Sequence, residues 1–216
     1  MHKSLHGMRC VVTAGPTVER LDPVRFLSNR SSGALGYACA RAARSCGAVV
    51  TLISGPTALA APRGVAVVAV ESALAMRAAC RHYVRTADLI IMAAAVADYR
   101  PVRMARQKLK RRTARLTVDC VANPDILAEL CRRRRPGQWI VGFALESTRL
   151  LAQARRKLQA KGCDLLVANT VAAIGAAQQQ AWLLWRDGRE QRVGPCTKAA
   201  LARLIIQAVV QSRRSL

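Results

Sequence analysis

Several things are scarce in this chain, and each scarcity closes a route. Aromatic residues make up 4% of the 216 residues, and no RNP-like aromatic motif is present. Histidine occurs only as His2, His6 and His82, too little for a histidine-based triad or zinc site. The longest unbroken apolar run, Leu89 to Ala97, is nine residues, against the ~20 that a membrane span requires. No charged n-region, apolar h-region and cleavage site open the sequence, so a secretory signal is not expected. Nor does any C-x-x-C occur among Cys10, Cys39, Cys46, Cys80, Cys120, Cys131, Cys163 and Cys196. With no histidine at a ligand spacing, these cysteines read as reduced thiols, most of them small buried hydrophobes.

What is present is an apolar, strongly basic chain. Hydrophobic residues reach 52%, enough for a core without disulfides, and the length fits one domain. Lys plus Arg is 35 against 12 Asp plus Glu, a formal charge of +23, and Arg dominates the cations. Such a field gathers polyanions, so a basic nucleic-acid-binding protein on a Rossmann-like scaffold is one reading. No zinc-finger spacing or bZIP heptad accompanies the charge, and Arg and Ala rising together match a GC-biased coding sequence. Compositional drift is therefore preferred. The class expected is a soluble, cytoplasmic, globular protein.

The hydrophobic pattern alternates. Arg9 to Ala14 is a short β-branched run closed by Gly15-Pro16, a strand and a turn. Residues 17–32 read as polar and irregular. A helix over 34–46 ends at Gly47, a natural C′ residue. Strands follow at 48–54, 65–70 and 87–95, with a helix from Ser72 to about Val84. Continuously apolar strands separated by helices predict an α/β fold: a Rossmann-like, doubly wound, mostly parallel sheet. Beyond residue 98 the rhythm breaks, and residues 99–115 hold eight cations and no anion. Further strands are predicted at 116–121, 139–145 and 165–168, with helices from Asn123-Pro124-Asp125 to about Arg133 and over 149–161. Runs at 181–185 and 189–193 around Asp187-Gly188 predict a small antiparallel hairpin extension, and a last helix spans about 197–211. Residues 1–8 read as an N-terminal arm or linker remnant and 9–216 as a single domain with a flap at about 99–115.

An open parallel sheet takes its ligand beyond the carboxyl ends of its strands. Residues 15–33, 94–100, 123–125, 143–147 and Asn169 should therefore share one rim. Three clusters on it could carry chemistry. Ser28 to Gly36, with Ser31, Ser32 and Gly33 at a helix start, suits a phosphate or carboxylate; simple capping fits as well. Ala94, Ala95 and their small neighbours would let a flat ligand lie against the backbone. Asp98 there either holds a cation such as Mg²⁺ or serves as a turn residue. K-L-K-R-R at 108–112 is either a flap supplying Lys108 and Lys110 to a polyphosphate or a solvated charge run. Arg132 to Arg135 is read as cations at a helix C-terminus.

Taken together, the motifs resemble the phosphopantothenoylcysteine synthetase family. G-P-T-V-E-R-L-D-P-V-R-F-L-S-N-R-S-S-G-A-L-G-Y-A at 15–38 is similar to its opening motif. A-A-V-A-D-Y-R-P at 94–101, K-L-K-R at 108–111, N-P-D-I-L at 123–127, G-F-A-L-E at 142–146 and K-x-x-D-L-L-V-A-N at 161–169 follow in family order. The likeness spans residues 9–211. It implies a ligase joining 4′-phosphopantothenate to L-cysteine with CTP, through an acyl-cytidylate, in coenzyme A biosynthesis. It also implies Mg²⁺, a homodimer with the site near its interface, a possible separate phosphopantothenoylcysteine decarboxylase, and no flavin in this chain; the H-K-S-L-H-G stretch resembles the junction with that decarboxylase. By resemblance Asn29, Lys108 and Arg25 are catalytic, with Ser31, Ser32, Gly33, Ala94 and Ala95 holding substrate or intermediate. Gly15, Asp98, Lys108, Pro124, Asp125, Ile126, Leu127, Phe143, Lys157 and Lys161 are assigned to CTP, and Asp98 to the metal. Four positions depart from the family pattern: Arg20 for Pro, Ala34 for Lys, Thr170 for Asp, and Ala176-Ala177 after Gly175 in place of an aromatic.

Overall fold

A computed structural model describes residues 4–111 and 114–214; Arg112, the last residue of the basic run, and the first three residues of the N-terminal arm, His2 included, lie outside them. In chain order the elements are β1 (Arg9–Ala14), β2 (Val18–Arg20), β3 (Phe26–Ser28), α1 (Ala34–Ser45), β4 (Val49–Ser54), β5 (Ala66–Ala69), α2 (Ala73–Tyr83), β6 (Leu89–Met92), β7 (Tyr99–Pro101), β8 (Cys120–Ala122), α3 (Ile126–Arg132), β9 (Trp139–Glu146), α4 (Leu150–Lys161), β10 (Leu165–Thr170), β11 (Gln178–Trp185), β12 (Glu190–Thr197) and α5 (Lys198–Arg214).

Eight strands form one sheet in the order β12-β11-β10-β9-β6-β1-β4-β5. From β5 to β10 every pairing is parallel, and β11 and β12 add an antiparallel extension. Numbered among themselves, the parallel strands run 3-2-1-4-5-6, the doubly wound order whose switch point lies between β1 and β6. The α/β, Rossmann-like expectation therefore holds. Strand residues alternate between two cores. Val12, Leu52, Ile91 and Val167 pack with Tyr37, Cys39, Ile205 and Val209 of α1 and α5. On the opposite face Val11, Ile53, Ile90 and Leu166 meet Met76, Ile126, Ala154 and Leu158 of α2, α3 and α4. Both sheet faces are covered, which is why the central strands carry no polar alternation.

Helix ends follow local chemistry. Ser72 Oγ accepts the Ala75 N–H at 3.2 Å, and buried Glu19 of β2 accepts the Ala73 N–H at 2.8 Å, placing a carboxylate at the N-terminus of α2. Asp125 caps α3 through the Ala128 N–H. Residues 4–8 fold against the body: Leu5 is fully buried, and its N–H donates to Cys46 O.

Two segments differ from the sequence reading. Residues 17–32 are not irregular throughout, because β2 and β3 pair as an antiparallel hairpin. Three-residue strands, one of them wholly exposed, carry no periodic signal. The strand expected over 116–121 shrinks to β8, which among the described residues pairs only with β7; before it Asp119 O still accepts the Val102 N–H, and residues 116–118 belong to no strand. At the sheet's outer edge, β12 slips register by one residue, Gly194 and Pro195 facing the single Gln180 between the Gln179–Cys196 and Ala181–Val193 pairs, a bulge. Among the described residues no helix is long and apolar enough to cross a membrane.

Six cysteines are buried, whereas Cys120 is exposed and Cys196 half-buried. Burial pushes the Cys39, Cys80 and Cys131 thiols up to about 12 and Cys163 to about 11. Thiolate is the reactive form, so dithionitrobenzoate should modify Cys120 and then Cys196 in the native protein, and the others only after unfolding. Peptide mapping of the labelled sites checks this.

Candidate active site

The site begins where β1 ends. Gly15 takes φ +75°, the left-handed conformation that glycine adopts without strain. Pro16 then bridges Ala95 beyond β6, the Ala95 N–H donates to Gly15 O at 2.9 Å and the Thr17 N–H to Ala95 O at 3.3 Å. Two threonines brace the exit of β6: Thr13 Oγ1 accepts the Ala94 N–H and Thr17 Oγ1 the Ala97 N–H. The exits of β1 and β6, neighbours at the switch point, are thus joined by backbone hydrogen bonds.

Helix α1 starts hard against this junction. A Cβ on Gly36 would sit 2.6 Å from Ala14 Cβ and 2.8 Å from Thr13 O, so only glycine permits the approach. Gly33 is the N-cap, at φ +75° and with no side-chain cap. Ser31 Oγ accepts the Gly33 N–H at 3.2 Å and Ser32 Oγ the Ala34 N–H at 3.4 Å. Ala34, where the family pattern has Lys, is the first helical residue. Gly15, Gly33 and Gly36 do the steric work of a dinucleotide fingerprint, although residues 16–32 intervene between the first two.

On the α3–α4 side of the junction lies a cavity of about 300 Å³ lined by Met92, Ala94, Val96, Ala97, Asp98, Asn123, Pro124, Asp125, Ile126, Leu127, Phe143, Lys157 and Lys161. Eight of the residues assigned to nucleotide by resemblance are in that wall: Asp98, Pro124, Asp125, Ile126, Leu127, Phe143, Lys157 and Lys161. Lys157 and Lys161, one helical turn apart on α4, both face it. Gly15 stands at the β1 exit, and Lys108 lies on the exposed flap. Asn29 reaches the rim, with Nδ2 donating to Val96 O at 3.0 Å. Arg25 is held by Asp22 and by the Leu109 carbonyl. Asn123 has a structural part that its place in the 123–127 motif does not show. Its N–H donates to Asp98 O and its Nδ2 to Ala97 O, so it fixes the loop carrying Asp98. Arg20, at a usual proline, pairs with Glu71 on the surface.

The cavity's charges are unevenly compensated. Burial works to raise the Asp125 carboxyl, but hydrogen bonds from Lys161 and the Ala128 N–H, with Lys157 nearby, hold it below the usual carboxylate range. Burial lowers the Lys157 ammonium, and Lys161 adds to the effect against the pull of Glu146, Asp125 and Asp98. A part-desolvated cation of this kind gains when an anion arrives. No group of three or more His, Cys, Asp or Glu that could hold a metal occurs among the described residues. Asp98 is exposed, and a lone carboxylate there suits a cation arriving with phosphate ligands.

Fold and site together define a doubly wound α/β protein with a cation-lined cavity at its switch point. Residues 5–212 match the family described as the DNA/pantothenate metabolism flavoprotein C-terminal domain, and the chain belongs to that family. It is 45% identical over 220 residues to the coenzyme A biosynthesis bifunctional protein CoaBC of Mycobacterium tuberculosis, covering 95% of this chain and 53% of that protein. The CoaBC protein of Vibrio cholerae is 41% identical over 214 residues, with 96% and 53% covered. The chain thus spans about half the length of the curated relatives it matches. A crystal structure of a CoaBC C-terminal domain superposes with a TM-score of 0.86 at 36% identity, covering 99% of this chain and all of that one.

The Lys161–Asp125 pair gives a pH test. A carboxyl lowered in the folded state contributes stability that is complete above its unfolded value, about 3.9, and disappears as pH falls through the lower folded value. Lys161→Met should therefore lower Tm at neutral pH, and the gap to the unaltered protein should close as acid protonates Asp125. Thermal melts across the acid range measure it.

Proposed function

We propose that this chain is a ligase joining 4′-phosphopantothenate to L-cysteine at the expense of CTP, in coenzyme A biosynthesis. The observation that carries the reading is the convergence on one cavity of the 94–98, 123–127 and 142–146 motifs with Lys157 and Lys161. Relatives named for coenzyme A biosynthesis at above 40% identity add to it. The preference for CTP over ATP rests on family likeness.

The reaction is mostly charge management. The substrate carboxylate attacks the α-phosphorus of CTP, pyrophosphate leaves, and an acyl-cytidylate remains. The cysteine amine then attacks the acyl carbon, loses a proton and displaces CMP. Lys157 and Lys161 offset the phosphate charge that would repel the entering carboxylate. The Asp125–Lys161 pair keeps one of those lysines oriented before the nucleotide arrives. Phe143 with Val96 and Ala97 lines the nucleotide's cavity, Ala94 and Ala95 contact the substrate or intermediate, and Asn29, oriented by Val96 O, holds the intermediate during the second attack, with Arg25 and Lys108 acting in the same step. Ser31, Ser32 and Gly33, at the uncapped start of α1, suit a phosphate. Mg²⁺ held at Asp98 would neutralise the triphosphate and polarise its phosphoryl oxygens. No flavin belongs to this half of the reaction sequence, and a decarboxylase supplied separately would take the product.

A homodimer is part of the proposal. Val24, Phe26 and Leu27 of the β2–β3 hairpin and Tyr99, Val102 and Val121 around the β7–β8 ribbon are exposed, and β2 packs beside β7. A patch of this kind marks an association surface. A cytoplasmic location follows from the substrates. The nucleic-acid reading has no comparable observation behind it.

The test is a pyrophosphate assay. Release from CTP should require 4′-phosphopantothenate, and ATP, GTP and UTP should serve less well. Asn29→Ala should leave that release in place while amide formation falls by roughly 10²-fold. Pyrophosphate release that is indifferent to phosphopantothenate would sink the proposal.

A further inference from the structure

Asp22 has no place in the cavity, yet it is one of the best-satisfied groups in the protein. Its side chain is fully buried, where a carboxylate is costly unless its lone pairs are filled. Oδ1 accepts the N–H groups of Val24 and Arg25, each at 2.8 Å. Oδ2 accepts Arg25 Nε at 3.0 Å, Arg25 Nη2 at 2.7 Å and the Leu109 N–H at 3.1 Å. Arg25 Nη2 also donates to Leu109 O at 2.6 Å. The residue after Lys108 is therefore gripped at both its N–H and its C=O. A third bond, from the Ala105 N–H to Leu21 O at 2.9 Å, ties the flap four residues earlier. Burial works to raise the Asp22 carboxyl, and these donors overcome it, holding it well below the usual range.

We infer that Asp22 is a positioning residue that fastens the Lys108 flap to the hairpin loop carrying Arg25, and so aligns Lys108 with Asn29 across the rim. The two oxygens divide the labour. Oδ1 shapes the turn, as an aspartate before proline commonly does. Oδ2 is the latch, and its partners come from segments 84 residues apart. Residues 102–104 and 106–111 are exposed, so little else holds this stretch in register. The catalytic consequence rests on the ligase reading; the fastening itself does not.

Asp22→Asn separates the roles. The amide oxygen can still take the Val24 and Arg25 N–H groups, but its NH₂ meets the Arg25 and Leu109 donors and cannot accept. Limited trypsin digestion should cut at Arg103, Arg106, Lys108, Lys110 or Arg111 at least ~10-fold faster than in the unaltered protein. Pyrophosphate release should stay within about threefold while amide formed per pyrophosphate falls at least ~10-fold. A merely structural role would lower Tm without moving that ratio. Should Asp22→Asn fail to fold, amide exchange on the unaltered protein decides: the Ala105 and Leu109 N–H groups should exchange ~10-fold or more slowly than those of Arg103 and Gln107. Equal digestion with an unchanged product ratio in a folded variant, or unprotected amides at both positions, overturns the inference. If the unaltered protein released no pyrophosphate from CTP, the ligase reading would fail while digestion and exchange still judged the latch.

Discussion

The site exists because the exits of β1 and β6 are joined to each other. In a doubly wound sheet the loops after the two switch-point strands diverge to opposite faces and leave a crevice between them. Here the Gly15, Pro16 and Thr17 backbone bonds Ala95, and two threonine hydroxyls brace Ala94 and Ala97. The crevice floor is therefore a fixed piece of main chain rather than a pair of free loops. Asn29 takes its direction from that floor, and Asn123 hangs the Asp98 loop from it. Loosening this junction would disperse residues drawn from the first and second thirds of the chain alike.

Charge is managed locally against a global excess. A protein of +23 has few carboxylates to place, and several are set where they hold cations still. Glu129 is buried between Arg77, Arg81 and Arg133, Asp164 meets Arg134, and Asp125 steadies Lys161 beside the cavity. Lys157, by contrast, faces the cavity with burial working against its charge. The net field attracts anions over distance, but it is this incomplete local compensation that gives an anion a reason to stop there.

The fold was legible because the central strands are uninterrupted apolar runs and the helices are punctuated by Ser72, Asp125 and Gly47. The cavity wall was legible in a different way. Lys157 and Lys161 show their shared face by a spacing of four, Phe143 is placed on the rim by its position at a strand end, and Ile126 stands out only through family likeness. The β2–β3 hairpin escaped notice because Phe26, Leu27 and Ser28 all face solvent, leaving no burial pattern to read. The serines at 31 and 32 looked like helix caps, yet glycine occupies the cap itself. In the sequence Asp22 is no more than one letter of the 15–38 motif. Its second oxygen is used by a residue far along the chain, and no local pattern encodes that.

The outer edge of the sheet has a bearing on how copies of this chain could meet. At β12 the backbone bulges at Gly194, and Pro195 offers no amide to a newcomer. An additional strand laid alongside would lose its ladder midway. Growth by edge-to-edge strand addition, the usual seed of fibrous aggregates, is blocked on that flank, so self-association is directed toward side-chain-covered faces instead.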